Sequence, residues 1–366
     1  KLVPLADAAK KQGTKVYHLN VGQPDIKSPK CALDAIRNFS LENVSYSHSA
    51  GLMDLRKGLV EKYYKKIGID ITVDELITTV AGSESVNLAL EIACNPGDEV
   101  IVNEPCWTNY IQQVEMCYAV PVSVSTDLEN GFSLDIEKIE AAITDKTRAI
   151  IINSPCNPTG AVLDKEVLEK LAVLAKKYDL LIISDEVYKH IIFDDNEFTS
   201  IASFEGMKER TLVVDSFSKT FAMTGFRVGY VAGPSWFIKE VVKLQENIAA
   251  CVAMPCQYAA VEAITGSREH LNMMVESYKN RRDYVFDRVS KMPLVEYQKS
   301  KGTFYALVSI KQTGMSSEEF AMKLLEDKQV VVVPGDAFGN YGEGYIRISF
   351  ASSMENLEKG LDAMED

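Results

Sequence analysis

Five short apolar runs rich in β-branched residues punctuate the first two thirds of the chain: Glu99-Val-Ile-Val102, Ala149-Ile-Ile-Ile152, Leu180-Leu-Ile-Ile183, Thr211-Leu-Val-Val214 and Val228-Gly-Tyr-Val231. Between several of them lie stretches of helical periodicity, such as 83–93 and 165–178. A run of apolar residues without alternation fits a strand covered on both faces, and such strands interleaved with helices build a mostly parallel sheet between two helical layers. The expected class is therefore α/β. Beyond about residue 260 the texture changes: a charged helical stretch near 267–289 leads to Gly302-Thr-Phe-Tyr-Ala-Leu-Val308, then a helix, a valine-rich strand and a last helix. That order predicts a smaller α+β domain. No low-complexity linker intervenes, so a helix is expected to join the two.

With 366 residues, the chain has room for one large domain and a smaller one. A net charge of −13 and the lack of any basic run argue against a nucleic-acid or anionic-membrane surface. The seven cysteines, at 31, 94, 106, 117, 156, 251 and 256, form no CxxC pair and have no histidine at metal-ligand spacing. They are expected to stay reduced, without a metal, in a cytoplasmic protein. No apolar run is long enough to cross a bilayer, and no signal-peptide core is present. The sequence opens on Lys1 rather than Met, which leaves room for a leading piece.

Three other α/β chemistries have sequence signatures that are missing here. Neither GxGxxG nor GxxxxGK[ST] occurs, and GxSxG is absent as well. The four histidines, at 18, 48, 190 and 270, show no catalytic spacing.

A lysine among phosphate-binding residue types is present instead. In Ser216-Phe-Ser-Lys-Thr-Phe-Ala-Met-Thr-Gly-Phe-Arg-Val-Gly-Tyr230, Lys219 follows an apolar strand, Ser216, Ser218 and Thr220 carry hydroxyls, and Arg227 has a guanidinium fork. An amine beside an anchored phosphate points to a phosphorylated aldehyde held as a Schiff base, of which pyridoxal 5'-phosphate is the common example. Such a cofactor has further needs. Its pyridine nitrogen requires a carboxylate, and Asp185 closes the strand that starts at Leu180. Its ring oxygen requires donors, available from Asn157 and Tyr188. Its phosphate can use the helix N-terminus opened by Gly82, Ser83 and Glu84, and Trp107 offers a flat face for the ring. Arg347, alternating with apolar residues in Tyr345-Ile-Arg-Ile-Ser-Phe350, offers a planar partner for a substrate carboxylate.

Over nearly its whole length the chain resembles the class I/II aminotransferases of the fold-type I pyridoxal-phosphate enzymes. The resemblance is carried by Tyr46–Arg56, Ala81-Gly-Ser-Glu84, Asn153–Gly160, Ser184-Asp-Glu-Val-Tyr188, Ser216–Gly229, Gly302-Thr-Phe-Tyr305 and Arg347-Ile-Ser-Phe350. It implies a mostly parallel seven-stranded sheet in a large domain, residues 25–283, and a small domain from 1–24 and 284–366. Lys219 would be the Schiff-base lysine and proton carrier, with Asp185 and Tyr188 as its catalytic companions. Gly22, Asn157 and Arg347 would bind substrate, and Tyr46 would reach the cofactor phosphate of the neighbour in a homodimer. The implied reaction moves an amino group between an L-amino acid (aspartate, aromatic or of broad range) and a 2-oxo acid such as 2-oxoglutarate, in ping-pong fashion. Members that prefer aspartate use a further cation for the acidic side chain, and the sequence assigns neither Arg281 nor Arg282 to that job. Two rivals share the fold: a C–S β-lyase, and a regulator's effector domain, which would carry a basic DNA-binding module that this acidic chain lacks.

Overall fold

The computed structural model describes residues 2–11 and 13–365. Seven strands form the main sheet: β1 (Leu76–Thr79), β2 (Glu99–Glu104), β3 (Val120–Ser125), β4 (Thr147–Asn153), β5 (Leu181–Asp185), β6 (Thr211–Ser216) and β7 (Gly229–Ala232). Their order across the sheet is β1-β7-β6-β5-β4-β2-β3. β7 runs antiparallel to both of its neighbours and the remaining pairs are parallel.

The apolar runs read as doubly covered strands have that environment. In β6 every residue is buried, and successive side chains enter different cores: Leu212 and Val214 pack with Val86 and Leu90, whereas Val213 packs with Leu55 and Tyr230. Two strands are absent from the five apolar runs: β1, which is short and buried throughout, and β3, which lies at the sheet edge, is mostly half-exposed and contains Pro121. An edge strand needs neither continuous apolar residues nor every backbone N–H, so its sequence lacks the signal of the central ones.

The smaller body holds a four-stranded antiparallel sheet with Tyr305–Ser309 and Tyr345–Ser349 at its centre, flanked by Glu296–Tyr297 and Val333–Pro334. A short parallel pair, Tyr17–His18 with Val330–Val331, attaches the N-terminal segment to it. Leu19 is fully buried in the same core as Phe304, Ile346 and Leu357, and Ser349 donates its N–H to the Leu19 carbonyl at 2.7 Å. One unbroken 21-residue helix, Glu269–Val289, contributes Leu271, Met274, Tyr278, Val285 and Val289 to that core. The chain thus passes into the smaller body along a helix.

Parallel strands set their carboxyl ends along one edge of the sheet, where α/β folds hold ligands. Asn153 ends β4, Asp185 ends β5 and Ser216 ends β6, with Asn153 and Asp185 directly in register.

Candidate active site

Between this edge and the small sheet lies a cleft of about 480 Å³, lined from one side by Gly82, Trp107, Asp185 and Lys219 and from the other by Gly22, Tyr305, Val333 and Arg347. Lys219 sits in the short helix Phe217–Thr220, whose N-cap is Ser216: the Ser216 Oγ accepts the Ser218 N–H at 3.1 Å. The Lys219 amine donates to the Gly22 carbonyl, with the rings of Tyr188 and Phe304 at 5.8 and 5.6 Å. Enclosure away from water pulls the pKa of this amine down to about 8, with Arg347 and Arg227 adding to the effect and Asp185 opposing it.

Asp185 is buried at the end of β5, and burial pushes its carboxyl up to about 6. Two donors hold it from rising further: the Tyr110 hydroxyl at 2.6 Å and the Val187 N–H at 3.1 Å. The Tyr188 and Tyr305 hydroxyls meet at 3.0 Å, and burial raises the pKa of both phenols. Asn157 has its backbone fixed by the Asn153 side chain, 2.9 Å from its N–H, and its Oδ1 accepts from Arg347 Nη1 at 3.0 Å. Arg347 also donates Nη2 to the Asn20 carbonyl at 3.0 Å and lies 4.2 Å from the Tyr305 ring centre, while its buried Nε lacks a partner.

At one end of the cleft, Gly82 and Ser83 line it in the first turn of helix Ala81–Ala93. Ser216, Ser218 and Arg227 line it too; Arg227 has a left-handed backbone, φ 54°, and donates to the Thr224 carbonyl at 2.9 Å. Trp107 borders the cleft with its ring at 85° to that of Tyr110.

Some residues singled out in the sequence lie outside the cleft. Glu84 does not line the cleft; its carboxylate turns back to accept the Val80 N–H, because the first turn of a helix leaves donors that an acid four residues on can reach. Thr220 faces a separate small cavity, and its buried Oγ1 has no partner. Tyr46 lies outside its own chain's cleft and is 83% exposed. Arg281 is committed to Asp25, at 2.8 and 2.9 Å, and Arg282 to Asp194, at 2.8 and 3.1 Å; neither enters the cleft.

The sequence reading gave no role to Tyr110, Asn153 or Tyr305, all of which face the cleft. Asn153 and Tyr305 stand inside motifs already singled out, and Tyr110 lies three residues after Trp107, in helix Asn109–Met116. Among the described residues no group of three His, Cys, Asp or Glu is placed to hold a metal, and no helix is long and apolar enough to cross a membrane.

The sequence matches the family described as Aminotransferase class I and II over residues 14–364. It is 41% identical over 358 residues to an aspartate aminotransferase of Pyrococcus abyssi, covering 96% of this chain and 91% of that one. Identity to aromatic-amino-acid aminotransferase 2 of Thermococcus litoralis is 40% with the same coverage. The solved structure of an aromatic aminotransferase from Pyrococcus horikoshii superposes with a TM-score of 0.92 at 40% identity, covering 98% of this chain and 97% of that chain. The chain belongs to the class I and II aminotransferase family, and its activity is that of an aminotransferase. Enzymes of this family generally depend on pyridoxal phosphate. Nothing in these matches favours the β-lyase alternative.

Proposed function

We propose that the cleft binds pyridoxal 5'-phosphate and that the enzyme transfers the amino group of an L-amino acid, with aspartate and aromatic donors as the leading candidates, to a 2-oxo acid such as 2-oxoglutarate. The observation that carries this reading is the placement of an amine lowered to about 8 and a buried carboxylate in one cleft with an arginine fork. The residue set fits the group: hydroxyls, helix N–H groups and Arg227 for a phosphate, Asp185 for a ring nitrogen, Asn157 and Tyr188 for a ring oxygen, and Trp107 for the ring face.

When bound, pyridoxal phosphate supplies an aldehyde for covalent attachment and a ring that withdraws electrons from the substrate Cα. Lys219 would hold the cofactor's aldehyde and, as a free amine, would move the proton at the substrate Cα. An amine with a pKa of about 8 has an appreciable free-base fraction at neutral pH, which suits that task. Asp185, ionised, would hold a proton on the ring nitrogen. Arg347 holds the α-carboxylate, with Asn157 and Gly22 beside it. Donor and acceptor use the same residues in turn, which gives ping-pong kinetics.

The working enzyme in this reading is a homodimer whose Tyr46 completes the partner's phosphate site; the exposure of Leu41, Val44 and Met53, close to Tyr46 in sequence, supports a covered segment. Residues 25–283 act as the large body and 1–24 with 284–366 as the small one. A cytoplasmic setting is supported by seven unpaired cysteines. Purified protein is expected to show a visible absorption band that changes when an amino acid is added, and a donor panel against 2-oxoglutarate ranks the substrates. After borohydride treatment, wild type retains the cofactor covalently and Lys219→Ala does not; a variant that retains it removes Lys219 from this role.

A further inference from the structure

Behind the cleft, on the opposite face of the sheet, lies a second buried lysine that the reaction does not use. Lys189 directly follows Tyr188, and its side chain is 2% exposed. Its amine forms an ion pair with Asp215, donates to the Tyr230 hydroxyl oxygen at 2.9 Å and stands 3.4 Å from the centre of the Tyr63 ring. The Tyr230 hydroxyl in turn donates to Asp215 Oδ2 at 2.6 Å, and Asp215 Oδ1 accepts the N–H of Ser216 at 2.6 Å. The space enclosed beside this cluster is about 20 Å³, too small for any ligand larger than water.

A buried ion pair is a poor source of net stability, because desolvating both charges offsets most of their attraction; apolar residues of the same volume often serve as well or better. What such a pair does impose is geometry, since neither charge tolerates separation from its partner in a dry interior. Here the geometry concerns two chain segments that both continue into the cleft. One side of the pair adjoins Tyr188. The other side, Asp215, grips the backbone of Ser216, whose hydroxyl lines the cleft and caps the helix carrying Ser218 and Lys219.

We propose that the Lys189–Asp215 pair, bridged by Tyr230, is a positioning device for the phosphate end of the cofactor site. It fixes the end of β6 against the segment after β5, so that Ser216 and the first turn of its helix face the phosphate in one arrangement. The inference rests on the reading of Ser216 and Ser218 as phosphate ligands given above. The pair touches neither cofactor nor substrate and acts through Ser216.

The test compares two probes that differ by the phosphate alone. Cofactor-free protein is titrated with pyridoxal phosphate and with pyridoxal, each followed by the visible band, and the ratio of the two affinities is taken. Lys189→Met/Asp215→Asn removes both charges together, and its urea midpoint is expected to stay near that of wild type. Its affinity ratio is expected to fall about tenfold, the effect of misplacing one hydrogen bond to a charged group. Tyr230→Phe keeps the ring and loses only the bridging hydroxyl; its ratio falls about threefold, less than in the double variant because the charged pair itself remains. A purely structural pair predicts ratios within twofold of wild type in both variants, and that result overturns the proposal. Should the double variant fail to fold, Tyr230→Phe decides alone, a lowered ratio supporting the proposal and an unchanged one overturning it. A wild type that prefers pyridoxal phosphate while the variants keep its ratio refutes the pair's role only. A wild type without phosphate preference refutes the phosphate assignment itself.

Discussion

Tyr110 donates its hydroxyl to Asp185 Oδ2 across 2.6 Å, joining the first turn of one helix to the end of β5, and both groups are buried. Burial alone favours the neutral acid, whereas a donor favours the carboxylate, so Tyr110 is the contact that does most to keep Asp185 ionisable near neutral pH. Removing that donor in Tyr110→Phe raises the carboxyl pKa above about 6, which moves the acid limb of the activity profile to higher pH. Cofactor affinity at neutral pH is expected to weaken by roughly tenfold, the scale of a hydrogen bond to a charged group. Titrating the cofactor-free variant between pH 5 and 8 checks this, and an acid limb that stays in place contradicts it.

Arg347 makes two directed bonds with different nitrogens, one to Asn157 and one to Asn20. Arg347→Lys keeps the charge and loses the planar fork, so the loss should appear in binding of the α-carboxylate common to every donor. We expect kcat/KM to fall by roughly 10- to 100-fold for all donors alike, mostly through KM, with the visible cofactor band unchanged. Steady-state kinetics with an acidic, an aromatic and an aliphatic donor tests it; a loss confined to one of the three would assign Arg347 to the side chain.

Lys219, Asp185, Asn157, Tyr188 and Arg347 were legible in sequence because each is a polar residue at the end of, a few residues beyond, or alternating within an apolar run, and the structure gathers all five in one cleft. Asp215 and Lys189 were not. A charged residue ending an apolar strand looks the same in sequence whether its side chain faces the ligand or the opposite core, and only register and pleat decide which. The Glu84 side chain turns away from the cleft for a related reason: a helix N-terminus can engage an acidic side chain with its own backbone donors. The edge strand Val120–Ser125 escaped because half-exposed strands do not need an apolar run.

Glu186 gives a pH signature in the cofactor-free protein. It is almost fully buried, one carboxylate oxygen has no partner, and burial pushes its pKa up to about 7 from an ordinary 4.5. Below pH 4.5 both folded and unfolded chains hold the proton; between 4.5 and 7 only the folded chain does, so stability is lost as pH rises through that window. The loss from this one group is at most about 3 kcal/mol. Glu186→Gln, which cannot ionise, should show a flatter urea midpoint between pH 4.5 and 7 than wild type. Parallel slopes in the two proteins would show that Glu186 does not titrate there.

Two glycines beside the phosphate end separate packing from ligand approach. A Cβ on Gly229 would lie 2.6 Å from the Ala81 carbonyl carbon and 2.8 Å from the Gly82 nitrogen, both backbone atoms that a rotamer change cannot move aside. Gly229 is paired in β7 with Thr79 on one side and Ser216 on the other, so it cannot retreat without disturbing both strands. Gly229→Ala must therefore push the start of helix Ala81–Ala93 off the sheet, at a cost of about 1–3 kcal/mol, the usual range for overpacking. On Gly82 the same methyl would meet Val187 at 3.5 Å and Ser216 at 3.6 Å, ordinary van der Waals separations. Gly82→Ala is thus expected to leave the thermal midpoint of cofactor-free protein near that of wild type while weakening pyridoxal phosphate binding, because Gly82 lines the cleft and its methyl would occupy space that the phosphate needs. Differential scanning calorimetry without cofactor and affinity titration with it distinguish the two: Gly229→Ala lowers both readings, Gly82→Ala only the second. Unchanged affinity in Gly82→Ala would mean that the phosphate sits away from this helix N-terminus.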